Sequence, residues 1–319
     1  MIDILKNNKH KILMLTYPKG ASTSLRRILL PAPHEKSITD LNQFGEKWIL
    51  DASLRTDQLF PILEKHKDYT IYAFCREPID RWSSTLLFLM QTKWDLFYSE
   101  ISNTGQEITD NIDADYLIKL VSTLISINNN SCNFDNVHMW RPLFTLLQIK
   151  ALYGDNVHLM QLDQMEKVVC DIHGVERQTF QKANSATTGY ELGHGFTSNQ
   201  AHIPTLSSKW KSIVPHAIRN EEALKTVKNY LSVDNEIYKR VVLSGENAND
   251  VLLNILTGPK HDGSKWHASS FIDNTITTNF GINDFQAPLE QFLQLIPKEG
   301  DLHNAVKKCI RSLSKNRKK

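Results

Sequence analysis

Cysteine is scarce in this 319-residue chain: Cys75, Cys132, Cys170 and Cys309 stand far apart and form no C-x-x-C pair. Neither a disulfide framework nor a structural zinc site is indicated, no metal is expected, and a reducing cytoplasm suits such usage. Long apolar runs are missing too. No stretch of about 18 uninterrupted apolar residues is present to cross a bilayer, and the opening M-I-D-I-L-K-N-N-K-H lacks the apolar core of a secretory signal. The expectation is a soluble cytoplasmic protein without a membrane span. Excess charge of one sign is also lacking: a net charge of +2 argues against a chain built to coat nucleic acid, although local basic clusters remain compatible with it. Internal repeats and low-complexity tracts are absent. So is the G-x-x-x-x-G-K-[ST] loop of an ordinary ATP or GTP site.

What is present starts with size: 319 residues, 41% hydrophobic and 23% charged, suffice for one large domain or two small ones. The informative stretch is Lys11 to Leu30, K-I-L-M-L-T-Y-P-K-G-A-S-T-S-L-R-R-I-L-L. A short apolar run from Ile12 to Leu15 has the length of a buried parallel strand, the chain breaks at Pro18 and Gly20, and Leu25, Ile28 and Leu29 resume at helical spacing. In such a strand, loop and helix, the hydroxyls of Ser22, Thr23 and Ser24, backbone N–H groups and the positive end of the helix dipole converge on one anion beside Lys19. The plainer alternative is a turn whose serines and threonine only cap a helix.

A second strand, Y-T-I-Y-A-F-C from Tyr69 to Cys75, runs into R-E-P-I-D-R-W-S-S and an apolar helix, with Pro78 suited to the helix start. Ligands of open α/β sheets sit beyond the carboxyl ends of parallel strands, so the Lys19 loop and Arg76 are expected to face one ligand. Arg76 and Ser84, one to two helical turns on, suit a second phosphate. Read alone, Arg76 is a surface ion pair with Glu77 or Asp80. A third strand, Asn156 to Leu162, precedes Asp163 and a helix ending at Gly174, adding another βα unit.

The pair P-K-G-A-S-T-S-L and R-E-P-I-D-R-W-S-S resembles the two cofactor signatures of sulfotransferases that use 3′-phosphoadenosine 5′-phosphosulfate, and is similar above all to carbohydrate enzymes of the heparan sulfate 2-O type. The resemblance spans residues 9 to 243 through short separated motifs. It implies a P-loop-like three-layer α/β fold with a central parallel sheet flanked by helices, a sulfotransferase domain over 1–245, and a small, mainly helical appendage over 246–319. It also implies that Lys19, Gly20, Ala21, Ser22, Thr23 and Ser24 bind the 5′-phosphosulfate, that Arg76 and Ser84 bind the 3′-phosphate, and that Arg81 supports the loop. His138-Met139-Trp140-Arg141-Pro142 resembles an H-W-x-P element of carbohydrate sulfotransferases, which makes His138 the first candidate for the general base. Glu46 and Asp51 stand behind it, since other members use a carboxylate from that part of the chain. The chain departs from the 2-O enzymes in having only His34 and His66 between the two loops, neither in a recognisable motif. Val233 to Tyr238 is similar to the acidic, tyrosine-bearing final helix of the family, within a helix expected over Leu224 to Val242.

The activity implied is sulfuryl transfer from that nucleotide to an acceptor hydroxyl, on a carbohydrate, with no metal and no nucleic acid partner. A P-loop-type small-molecule or nucleotide kinase and a non-catalytic glycan- or anion-binding protein are the alternatives. The last fourteen residues carry Lys307, Lys308, Arg311, Lys315, Arg317, Lys318 and Lys319. They read as a solvated end, or else as a contact for an anionic polymer or membrane surface.

Overall fold

The computed structural model describes residues 2–20, 22–30, 47–54, 56–92, 142–176, 228, 231–258 and 281–316. Its centre is a five-stranded mixed sheet. The strands are β1 (Ile2–Asn7), β2 (Ile12–Thr16), β3 (Ile49–Leu54), β4 (Thr70–Cys75) and β5 (Val157–Gln161), in the order β3-β1-β2-β4-β5. One register row crosses the whole sheet, from Asp51 through Ile4, Leu15 and Ala73 to Leu159.

The strands expected at Ile12–Leu15, Tyr69–Cys75 and Asn156–Leu162 are present, and β2, β4 and β5 run parallel. The sheet as a whole departs from the parallel expectation, because β1 pairs antiparallel with both β2 and β3. The reason is connection length. Only Asn8 to Lys11 separate β1 from β2, and a parallel crossover needs a dozen residues or more. A hairpin is what remains.

Period-two alternation in β2 sends Leu13 and Leu15 to one core and Ile12 and Met14 to the other. On the second face lie α1 (Ser22–Leu29) and α5 (Met165–His173), through Leu25, Ile28, Leu29, Val168 and Val169. On the first lie α2 (Thr56–Lys65), α4 (Pro142–Tyr153), α6 (Ser232–Ile237), and the helices α7 (Ala248–Thr257), α8 (Gly281–Leu295) and α9 (Asp301–Asn316). Residues from these C-terminal helices, such as Leu252, Phe292 and Leu313, belong to the same continuous core as Leu15 and Ile71.

Two local devices fix the elements that frame the site. The Arg26 guanidinium on α1 pairs with Asp3 on β1, which tethers the helix that starts at Ser22 to the hairpin beneath it. Lys150, in the last turn of α4, donates to the carbonyls of Gly154 and Val157 at 2.9 and 2.8 Å and so ties the helix end to the start of β5. Helix α3 (Pro78–Thr92) starts with proline at its first position, where the missing N–H costs nothing.

Candidate anion-binding site

Strands β2, β4 and β5 share a direction, so Thr16, Cys75 and Gln161 end at the same edge of the sheet. The chain leaving β2 turns at once. Gly20 N–H donates to the Tyr17 carbonyl at 2.9 Å, closing a four-residue turn with Pro18 second and Lys19 third. Lys19 has φ of +64°, the left-handed value that the third residue of a type II turn requires and that glycine or asparagine normally supplies. A β-carbon there costs about 1 kcal/mol.

Gly20 is required for a different reason. A β-carbon on it would lie 2.4 Å from Cε2 of Tyr17, so the loop backbone passes directly over the tyrosine ring. Tyr17 is fully buried. Its hydroxyl accepts the Arg76 backbone N–H at 3.3 Å, and its ring lies 5.5 Å from the Arg81 guanidinium. The Arg81 Nε–H donates to the Pro18 carbonyl at 3.3 Å. One aromatic side chain thereby sets the spacing between the loop after β2 and the first residue after β4.

The electrostatics follow from this crowding. Burial, then the like charges of Arg76 and Arg81, pull the Lys19 ammonium down to about 8 from its ordinary 10.5. Three cations therefore sit in one neighbourhood beside the start of α1, whose first turn carries no acidic residue. Burial pushes the Cys75 thiol up to about 12, which keeps it neutral and unreactive. Burial raises the Tyr238 phenol, helped by the carboxylates of Glu77, Asp163 and Asp80. Asp234, 2% exposed, lies near enough to raise Tyr17 and Cys75 as well. The edge therefore carries both signs: Lys19, Arg76 and Arg81, with Glu77 and Asp80 beside the two arginines in the chain.

Of the residues singled out from sequence, Lys19, Gly20 and Arg76 come together here. Ser22, Thr23 and Ser24 form the first turn of α1, and Ser84 lies half-buried in the second turn of α3. Asp51 does not join them: it is mid-strand in β3, in the row of Leu15 but two strands away, about 10 Å at ordinary strand spacing. Ala21, Glu46 and His138 lie outside the described residues, as do the helix expected through Tyr116–Leu124, the loop at 183–208 and Cys132.

Sequence reasoning missed Tyr17. Its signal was a large aromatic side chain between a buried strand and the Pro-Lys-Gly turn, which local periodicity does not flag. Tyr17→Phe keeps the ring and removes the hydroxyl, leaving the Arg76 N–H without that acceptor. A cost of about 1 kcal/mol in stability is expected, with a roughly threefold to tenfold weaker grip on an anion held by Arg76, checked by thermal melting and calorimetric titration.

No family model, no curated protein and no solved structure matches the chain.

Proposed function

We propose that the protein is a sulfotransferase that moves a sulfuryl group from 3′-phosphoadenosine 5′-phosphosulfate to an acceptor hydroxyl on a carbohydrate, using a P-loop-like scaffold whose working part is β2-β4-β5. The observation that carries this reading is the convergence of Lys19, Arg76 and Arg81 at the carboxyl ends of two adjacent parallel strands. Mutually repelling cations are relieved by a ligand bearing several negative charges, and a doubly phosphorylated adenosine brings two such groups at opposite ends.

In this reading the turn, the Gly20 to Ser24 segment and the helix start hold the 5′ group, while Arg76, with Ser84, takes the 3′-phosphate. The acceptor oxygen attacks sulfur in line as the bond from sulfur to the 5′-phosphate oxygen breaks. The leaving group is 3′-phosphoadenosine 5′-phosphate, and Lys19 neutralises the charge growing on its 5′ oxygen. The acceptor proton passes to a general base, for which His138 is the candidate from its motif. Tyr238, Glu77 and Asp163 are suited to hydrogen-bond a polyhydroxyl acceptor.

The test compares 3′-phosphoadenosine 5′-phosphate with adenosine 5′-monophosphate by titration calorimetry. Arg76→Ala should weaken the bisphosphate about tenfold to a hundredfold and the monophosphate little, because a charge-assisted contact to the 3′ group is lost. His138→Ala should lower sulfuryl transfer and leave both affinities intact. Equal affinity of wild type and Arg76→Ala for the bisphosphate would end the proposal, and tight Mg²⁺-dependent binding of ATP would redirect it to phosphoryl transfer.

A further inference from the structure

The chain has a polarised charge that the anion site does not explain. All 35 acidic residues and 30 of the 37 basic ones precede Lys307, for a formal net charge of −5, whereas residues 307–319 hold seven cations and no acid. Composition alone would make this a solvated end, but much of it is built into a seated helix. In α9, Ala305, Val306, Cys309 and Leu313 are buried in the main core, packed with α7 and α8, and the Gln286 amide donates to the Ser314 hydroxyl at 3.3 Å. Lys307, Lys308 and Arg311 are exposed. At 100° per residue these three fall within one arc of about 100°, centred roughly opposite the buried side chains. Among the described residues none of the three has an ion-pair partner.

We infer that the outer face of α9 is a docking surface for an anionic phospholipid bilayer, engaged by charge and without insertion. Three observations select this partner. The apolar side of the helix is committed to the core, so it cannot enter the acyl region as a free amphipathic helix would. The cations share one arc of a helix whose buried side chains lie on the opposite side, so a charged surface can meet all three together. Residues 301–319 contain no Phe, Tyr or Trp, so the stacking platform of a single-stranded nucleic-acid site is missing. Clustered Lys and Arg are what anionic leaflets attract, each cation adding to the affinity; three sit on this face, and the sequence from 307 to 319 carries seven. This inference does not depend on the sulfotransferase reading.

The experiment is co-sedimentation of the full chain with phosphatidylcholine vesicles, with and without phosphatidylserine. Binding is expected only to the phosphatidylserine vesicles, and it should be lost as salt rises from about 0.1 M to about 1 M and the screening length falls from about 10 Å to about 3 Å. The triple variant Lys307→Gln, Lys308→Gln, Arg311→Gln should bind about a hundredfold more weakly, with an unchanged circular-dichroism melt because all three side chains are exposed. The charge-retaining pair Lys307→Arg, Lys308→Arg should bind as wild type does. No preference for phosphatidylserine, equal binding by the triple variant, or displacement from the vesicles by an equal charge concentration of duplex DNA or heparin would each overturn it.

Discussion

Lys19→Met should yield an apoprotein that is more stable than wild type and, under the proposed function, nearly inactive. The ammonium is held at about 8 against 10.5 because the fold buries it and sets Arg76 and Arg81 beside it. A group whose folded value is depressed in this way is charged at a cost. Below pH 8 the lysine is protonated in both states, and its charge disfavours the folded one. Between about 8 and 10.5 the folded state sheds the proton first, so the penalty fades as pH rises and is gone above the unfolded value. The full shift corresponds to about 3 kcal/mol, and with relaxation and residual solvent at the site we expect about 1–2 kcal/mol to appear at pH 7, a Tm gain of about 2–4 °C. The gain should vanish near pH 10.5. Under the proposed function, sulfuryl transfer should fall about a thousandfold, the loss typical when a charge-stabilising donor is removed from a reacting centre.

The same lysine sets the pH dependence of binding. Above pH 7, where phosphate monoesters are already dianionic, anion affinity of the wild type should weaken as pH climbs through about 8, since the unliganded site then loses the cation that the ligand needs. Lys19→Arg, which stays charged throughout, should remove that break while preserving affinity at pH 7. A wild-type affinity independent of pH between 7 and 9.5 would separate Lys19 from the anion altogether.

The second large effect is expected at Gly20. Adding one methyl group places it 2.4 Å from Cε2 of Tyr17 and 2.6 Å from Cζ. The ring cannot withdraw easily: it is fully buried, its hydroxyl is bonded to the Arg76 backbone, and the Arg81 guanidinium stands 5.5 Å from its centre. The loop must lift instead, and Lys19 moves with it. Gly20→Ala should therefore destabilise by about 1–3 kcal/mol, as overpacked sites do, and reduce bisphosphate affinity more than a hundredfold. Combining it with Tyr17→Leu, which makes room beneath the loop, should recover most of the stability while leaving binding impaired, because Arg76 is no longer anchored. A Gly20→Ala protein with wild-type melting and binding would show that the loop does not rest on the ring.

The contrast between Tyr17 and its neighbours explains what could be read from the sequence. Strands β2, β4 and β5 were legible because they are short apolar runs with turn residues after them. Strand β1 was not. Its sequence I-D-I-L-K-N carries Asp3, Lys6 and Asn7, and buried Asp3 finds its partner only in the fold, in Arg26, 23 residues on. Strand β3 interrupts its apolar residues with Asp51 and Ser53 and takes its register from β1. A window of a few residues sees neither partner. With β1 unrecognised, the single strand opposed to the others was unrecognised too.

At the site, residues whose chemistry is local were legible: a lysine in a turn, an arginine closing a strand, serines opening a helix. Tyr17 acts through a contact 59 residues away, and its role emerges only when β2 and β4 lie side by side. Asp234 is of the same kind. The expected helix over Leu224–Val242 is described from Ser232, and it widens into a π-helix over Tyr238–Leu243, a change of register that propensity does not encode.

The short β1–β2 connection bears on the order in which the molecule assembles. A hairpin closed by four residues can form within microseconds, whereas pairing β4 with β2 must wait for more than fifty intervening residues to be gathered in. The strand that delivers the lysine turn thus has a folded neighbour before its eventual partner arrives. Early order around the lysine turn is supplied by the strand that runs against all the rest.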